Sequence, residues 1–321
     1  MTTQNTDFLL RNERTPPAVI DYPAEKVSKK TRREPSNWTV YAILLVGSIA
    51  FLVPFYFVVN GSLKTNIAVQ RGDLIAPVRN PVWSNYWNAL LRLGLQTRST
   101  MPDSLPAKVI PTFPPLSNTI VVVTLTVLGQ ILSCSLVGFG FARFKFRGRD
   151  TLFILMISTM MLPAQVTMIP VFVLFKSLGL VDSLWPLIIP SFFASPFYVF
   201  MFRQFFSQIP EELIEAAKID GCSNARIYWQ FMLPLSGPVI AIVAIYTFLG
   251  SWNDFLGPLI YLNSPTNRTL ALALNSFKGQ YGTADAQLLM AASVICMAPC
   301  VLLFFACQKY FVESVSSTGM K

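Results

Sequence analysis

Long apolar runs separated by short polar segments occupy most of this chain. A bilayer core of about 30 Å needs about 20 apolar residues in a helix, and six runs are long enough. They cover Trp38–Asn60, Ser117–Ala142, Thr151–Phe175, Leu184–Phe206, Pro238–Leu262 and Gln287–Gln308. A backbone in lipid must satisfy its own hydrogen bonds, and these runs are too long for barrel strands. The pattern therefore predicts an all-α polytopic membrane protein with six transmembrane helices.

The polar segments predict how the chain is organised. Residues 1–37 contain four prolines and mixed charge, which is typical of a mobile tail. A six-helix membrane domain is predicted over 38–311, with a long proline-rich external loop at 61–116 and a cytoplasmic loop at 207–236. Residues 312–321 complete the chain as a second polar tail.

Positive charge predicts the orientation of these spans. Most of the 25 Lys and Arg residues lie in the N-terminal segment, after the second span and around the loop after the fourth. Cytoplasmic loops are enriched in these residues, so both termini are predicted to be cytoplasmic. The net charge of +9 is thereby attributed to membrane topology, and no nucleic-acid-binding face is predicted.

Composition argues against most enzyme classes. The chain has no histidine, the commonest general base and metal ligand. Its five cysteines do not form a zinc pattern, and Cys296 and Cys300 lie in an apolar run, where cysteine ordinarily packs as a small apolar residue. No G-x-x-x-x-G-K-[ST] stretch occurs, so no P-loop ATP site is predicted. We expect no catalytic residue, no metal site and no cofactor in this chain.

The loop after the fourth span has helix signals at both ends. Pro210 and the two glutamates after it suit the start of a helix, and Gly221 suits its left-handed end. We predict a helix of about ten residues, followed by a short second helix that Asn224 caps and that Pro234 ends.

One face of the first helix is predicted to carry Leu213, Ala216, Ala217 and Asp220. A helix this short is marginal alone, and its small alanines allow another backbone to approach. Docking into a protein groove is therefore favoured over an interfacial helix lying on lipid.

The same loop resembles the EAA loop of ABC importer permeases, E-A-A-x3-G-x9-I-x-L-P. The matching positions hold Glu215-Ala216-Ala217, Gly221 and Leu233-Pro234, and Phe231 stands where the motif has isoleucine. The stretches Ala142–Gly148, Met161–Pro163 and Ser251–Phe255 resemble MalG-type carbohydrate permeases, so that the likeness covers about residues 38–321.

This resemblance implies the type I ABC importer permease fold in a bacterial inner (plasma) membrane. It implies that a small solute, a sugar or polyol, crosses by alternating access driven by a separate ATPase. The implied partners are a second, MalF-like permease, a cytoplasmic ABC ATPase dimer that binds ATP and Mg, an extracytoplasmic solute-binding protein, and membrane lipid. The ATPase-coupling residues would be Glu215, Ala216, Ala217, Asp220, Gly221, Leu233 and Pro234.

Polar residues inside the apolar runs are candidates for the translocation path. Asp254 is predicted well inside the fifth span beside Trp252 and Asn253, and a carboxylate at that depth faces either a partner group or a wet cavity. Gln165 and Thr167 follow a proline that could break the third span along a path. A purely structural role for Asp254 and a harmless kink at the proline are equally open, and packing is favoured over sugar stacking for Trp252.

The external aromatic residues Trp83, Tyr86 and Trp87 fit one helical turn at the membrane interface, with sugar stacking as a second interpretation. Gly138 and Ala142 are spaced for close helix packing.

The alternative function is an ion-gradient-driven secondary transporter, which would need several intramembrane ionisable groups and would leave the EAA-like loop unexplained.

Overall fold

The computed structural model describes residues 38–95, 114–275, 277 and 285–318, with the side chains of all these except 94, 95, 114 and 309–318. The described part is helical and contains no β-strand. The helices are α1 (Trp38–Ser62), α2 (Asn66–Gln70), α3 (Ser84–Leu95), α4 (Pro114–Arg143), α5 (Arg149–Ser158), α6 (Ala164–Ser177), α7 (Trp185–Ile188), α8 (Pro196–Gln208), α9 (Glu211–Ile219), α10 (Asn224–Ile227), α11 (Leu233–Leu235), α12 (Gly237–Trp252), α13 (Leu256–Tyr261), α14 (Leu270–Asn275) and α15 (Ala286–Thr318). The predicted N-terminal tail, residues 1–37, lies outside the described residues, whereas α15 continues through residues 312–318 of the predicted C-terminal tail.

Four segments of the described chain are long and apolar enough to cross a membrane as single spans: Trp38–Ser62, Pro115–Arg143, Trp185–Gln208 and Ala286–Gln308. Two further apolar segments are pairs of helices with a sharp bend between them. The count is therefore four spans, or up to six if each bent pair is one span. The predicted all-α membrane fold is confirmed.

The predicted third span is broken at Pro163, the proline named above as a candidate break. The segment Arg149–Met161 is followed by α6 at an angle of 97°. Leu162, which precedes Pro163, has an extended backbone with ψ 118°. The ring of a proline disfavours a helical conformation in the residue before it, which explains why the helix stops here.

The predicted fifth span is also interrupted. Helix α12 ends at Trp252, and α13 begins only at Leu256. A proline lacks the N–H that would bond to the carbonyl four residues earlier and its ring clashes with that carbonyl, so Pro258 weakens a helix that would run through Asp254. The segment Asn224–Leu235 before α12 meets it at 75°, which adds a second direction change to this part of the chain.

Helix α4 packs closely against α8. Both helices contribute to a buried core that includes Cys134, Phe202 and Phe206. A Cβ atom added to Gly138 would lie 2.7 Å from the Cβ of Phe202 and 3.1 Å from the backbone nitrogen of Arg203. The predicted close helix contact at Gly138 is therefore confirmed, and its partner is α8.

The chain divides within α1 into two compact units, Met1–Phe51 and Leu52–Lys321. In the first unit, the described residues form the N-terminal half of α1, whose apolar side chains are mostly exposed, as suits contact with lipid. In the second unit, the predicted external loop contains α2 and α3. Tyr86 shares a hydrogen bond of 2.7 Å with Ser62, whereas Trp83 and Trp87 are exposed.

Asp182 links the connection between α6 and α7 to the segment after α13. Its carboxylate accepts hydrogen bonds from the backbone of Asn263 (2.9 Å) and Ser264 (2.8 Å) and from the Ser264 hydroxyl. Its φ of 62° is left-handed, which Asp tolerates better than most residues. Desolvation by burial raises the pKa of Asp182. The hydrogen bonds from Ser264, Asn263 and Asn267 together lower the pKa by a larger amount, so the net pKa lies below its ordinary value.

Candidate functional site

The EAA-like loop forms the predicted short helix. Helix α9 spans nine residues, Glu211–Ile219, and Pro210 stands just before it rather than as its first residue. Gly221 has a left-handed φ of 77°, as predicted. The last turn is closed by the backbone N–H of Cys222, which donates to the carbonyl of Ala217 at 2.9 Å. The helix therefore ends where its glycine permits the reversal.

Helix α9 is anchored by one apolar face. Ile214 and Ala217 are buried and belong to the same core as Phe206 and Met232. Ala217 was predicted to share the free face with Leu213 and Ala216, but it lies instead three residues after Ile214, on the buried face. Among the predicted coupling residues, Ala217 is thus placed as an anchor of the helix.

The opposite face of α9 is exposed. Glu215, Ala216, Asp220 and Gly221 are all exposed. Leu213 and Ile219 are also exposed, and Ile219 keeps 87% of its surface accessible. Since residues three apart lie on neighbouring positions of a helix, Leu213, Ala216 and Ile219 form an apolar stripe, which we call the α9 stripe. The sequence reasoning missed Ile219 because isoleucine is among the residues that are most often buried.

The second half of the loop differs from its prediction in detail. The Ser223 hydroxyl, not Asn224, caps α10, because it accepts from the backbone N–H of Arg226 at 3.3 Å. A π-helical turn at Tyr228–Met232 precedes α11. Of the predicted coupling residues here, Leu233 is half-buried and Pro234 is exposed.

Two polar contacts connect the loop to the membrane helices. The buried hydroxyl groups of Tyr228 and Ser135, on α4, share a hydrogen bond of 2.7 Å. Arg143, the last residue of α4, donates from Nη2 to the carbonyl of Phe206 and to that of Ile209 at 2.6 Å. These bonds hold the end of α8 and the start of the loop against the end of α4.

A cavity of about 350 Å³ lies between α12, α14 and α15. Two of the predicted path residues line it, Trp252 and Asn253. The other described lining residues are Phe255, Leu270, Ala271, Leu274, Asn275, Leu289 and Cys296. Trp252 is 6% exposed, stacks on Phe248 and donates from Nε1 to the carbonyl of Cys296 at 3.0 Å. Its indole is therefore a packed wall of the cavity.

The other three predicted path residues do not line this cavity. Asp254 does not lie inside a helical span, since α12 ends before it, and its Oδ1 accepts from the backbone N–H of Gly257 at 3.1 Å. Gln165 and Thr167 are exposed in the first turn of α6, and the Thr167 hydroxyl donates to the carbonyl of Ala164 at 3.0 Å. The structure thus brings Trp252 and Asn253 together with α14 and α15.

Comparison with known proteins identifies the family. Residues 134–317 match the model of the binding-protein-dependent transport system inner membrane component, a match that includes α9 and the cavity residues. The chain belongs to this family. It is 36% identical over 294 residues to the arabinooligosaccharides transport system permease protein AraQ of Bacillus subtilis (strain 168), covering 90% of this chain and 99% of that protein.

Other relatives agree with this assignment. The chain is 30% identical over 280 residues to the sn-glycerol-3-phosphate transport system permease protein UgpE of Yersinia pestis, covering 86% of this chain and 94% of that protein. One matching solved structure is a bacterial ABC transporter involved in the import of the acidic polysaccharide alginate. That match has a TM-score of 0.72 and 22% identity, and it covers 86% of this chain and 96% of that one.

The predicted identity is therefore confirmed. The chain is an inner-membrane permease subunit of an ABC importer, with the fold that the EAA-like loop implied. The alternative of an ion-gradient-driven secondary transporter is not supported, because the chain's relatives are permease subunits of ABC transporters.

Proposed function

We propose that this permease carries a carbohydrate or polyol by alternating access, driven by an ABC ATPase dimer that docks on α9. The observation that carries the proposal is the α9 stripe, Leu213, Ala216 and Ile219, exposed on a helix whose other face is anchored in the core. An exposed apolar surface on a fixed helix is typical of a protein interface. The permease itself catalyses no reaction, and ATP and Mg bind to the ATPase.

The contacts of α9 support a mechanical role. The bonds of Tyr228 and Arg143 couple the loop to α4 and α8, so ATP-driven closure of two ATPases would move membrane helices and not only a surface loop. Alternating access needs two packed states that different ligands favour. With α9 facing the ATPase, both termini lie in the cytoplasm.

The relatives support the solute class and the remaining partners. AraQ is named for arabinooligosaccharide transport and UgpE for glycerol phosphate transport. We propose that this chain pairs with a second, MalF-like permease and receives a sugar or polyol from an extracytoplasmic solute-binding protein.

The docking role of α9 is tested by Ile219→Ser in the complex purified from its native membrane. A central interface residue contributes about 2 kcal/mol or more, which corresponds to about 30-fold in affinity, so the ATPase should be lost during purification. Leu178→Ser is the matched control, because Leu178 is also an exposed apolar residue but lies at the end of α6. It should retain the ATPase.

Equal recovery of the ATPase with Ile219→Ser and Leu178→Ser would contradict docking on the α9 stripe. Solute uptake by the permease in vesicles without ATP would contradict the proposed energy source, whatever the result of the copurification.

A further inference from the structure

The cavity at the end of α12 has the size of a small-molecule site. Its volume of about 350 Å³ lies near the lower end of the usual range of roughly 300–1,000 Å³. It therefore suits a monosaccharide-sized part of a solute rather than a whole oligosaccharide. The cavity is formed by residues far apart in sequence, from Trp252 to Cys296, so only the folded chain creates it.

The walls combine an aromatic surface with two amides. Phe255 is 37% exposed, unlike the packed Trp252, so its ring can contact a ligand. The C–H face of a sugar ring matches the negative face of an aromatic ring. Asn253 and Asn275 are both exposed, and a side-chain amide can donate and accept hydrogen bonds as sugar hydroxyls do. Asn253 is oriented by its own bond from Nδ2 to the carbonyl of Leu249 at 2.8 Å.

The described lining residues carry no charge. The neighbouring carboxylate of Asp254 accepts from the backbone of Gly257 at the start of α13 and is not part of the lining. A carboxylate or phosphate that entered this cavity would lose hydration without gaining a cation from these walls, which is unfavourable. An uncharged sugar ring has no ionic charge to desolvate, and the loss of hydration at its hydroxyl groups is smaller and can be offset by hydrogen bonds to the two amides.

The similar transporters differ in whether the solute named for them is charged. UgpE is named for sn-glycerol-3-phosphate, and the structurally similar transporter imports the acidic polysaccharide alginate, whereas AraQ is named for arabinooligosaccharides. The lining of this cavity resembles what a neutral sugar requires.

We propose that the cavity is a subsite for an uncharged sugar ring, with Phe255 as the stacking surface and Asn253 and Asn275 as hydrogen-bonding groups. This inference rests on the proposed function and adds that the part of the solute held here bears no carboxylate or phosphate.

Cysteine labelling tests the occupancy of the cavity. Ala271 lines it but has no assigned bonding role, so Ala271→Cys reports access without removing a contact. The full complex is labelled with a maleimide and the modified peptide is quantified by mass spectrometry. The probes are arabinotriose and maltotriose as neutral sugars, and galacturonate and sn-glycerol 3-phosphate as anions. Ser177→Cys, at the exposed end of α6, is the control.

We expect at least severalfold slower labelling of Ala271→Cys with the neutral sugar that the complex transports, and no change with either anion or in the control. A paired measurement compares Phe255→Ala with Phe255→Tyr. The half-saturating sugar concentration for uptake should rise about tenfold in the alanine variant and return towards the original value in the tyrosine variant, which a merely misfolded site would not show.

The outcomes separate this inference from the proposed function. Uptake of a neutral sugar with neither protection nor a Phe255 effect would overturn the subsite and leave the function standing. Uptake of an anion accompanied by protection would overturn the assignment of an uncharged ring. Failure of the intact complex to transport any sugar or polyol with ATP would overturn the proposed function itself, together with the inference that depends on it.

Discussion

Alanine at Gly138 would test the packing of α4 on α8. The added Cβ would lie 2.7 Å from the Cβ of Phe202, 3.1 Å from the backbone nitrogen of Arg203 and 3.3 Å from the carbonyl oxygen of Val199. None of these three atoms can move by a side-chain rotation. The two helices must therefore separate or shift to admit one methyl group.

Gly140 is the matched control on the same helix. A Cβ added there would find no atom within 4 Å. Alanine stabilises a helix interior by roughly 0.5–1 kcal/mol relative to glycine, and both substitutions gain this stability. Only Gly138→Ala has the overpacking cost, which is about 1–3 kcal/mol in a well-packed core. The difference in stability between the two variants therefore isolates the cost of the close contact.

The assay is thermal unfolding of the purified complex in one detergent, followed by tryptophan fluorescence. For a chain of this size a change of 1 kcal/mol shifts Tm by roughly 2–4 °C. Gly138→Ala should unfold several degrees below Gly140→Ala, which should equal or exceed the unsubstituted protein. Equal midpoints for the two variants would refute the packing argument.

Two further predictions concern single residues in the loops. Because hydrogen bonds lower the pKa of Asp182, its ionised form stabilises the fold above the ordinary pKa of 3.8, and this stabilisation is lost as the pH falls through the lower pKa of the folded state. Asp182→Asn should therefore lower Tm at pH 7 by a few degrees, which corresponds to a loss of roughly 1–2 kcal/mol in stability. The Tm difference between this variant and the unsubstituted protein should narrow below about pH 4. A Tm difference that did not change with pH would contradict this prediction. At Gly221 no atom would meet an added Cβ, so its positive φ alone predicts that uptake falls in the order Gly221→Asn, Gly221→Ala, Gly221→Val, with all three variants in the membrane. Normal uptake by Gly221→Val would contradict the role of this helix end.

The number of apolar segments could be predicted because a bilayer demands long hydrophobic runs, a property of local sequence. The angles at the bends could not. Pro163 and Pro258 indicate where a helix is weak, but the angle of 97° at the first break depends on how α6 packs elsewhere. The contacts of Asp182 join residues more than 80 positions apart, and no local pattern encodes them.

The candidate site also has some features that local sequence predicts and others that only tertiary contacts decide. The ends of α9 follow from local chemistry, since Pro210 precedes it and Gly221 permits the left-handed turn. The buried face of α9 cannot be predicted in this way. Apolar residues occur at positions 213, 214, 216, 217 and 219, and they surround most of a helix that is only nine residues long. Contact with Phe206 and Met232 decides that Ile214 and Ala217 face inward. Cavity residues such as Phe255 and Asn275 are missed for a similar reason, since only tertiary packing brings them together.

Helix α12 gives the two proposed sites a physical connection. It begins directly after the loop that carries α9 and ends at Trp252, in the wall of the cavity. Its 16 residues span about 24 Å as one unbroken helix, and the chain bends or breaks at both of its ends. A rigid segment between two hinges transmits displacement better than a continuous curved helix, because deformation concentrates at the ends. Movement of the loop at one end would thus tilt Trp252 and Asn253 relative to α14 and α15, changing the cavity that we assign to the sugar.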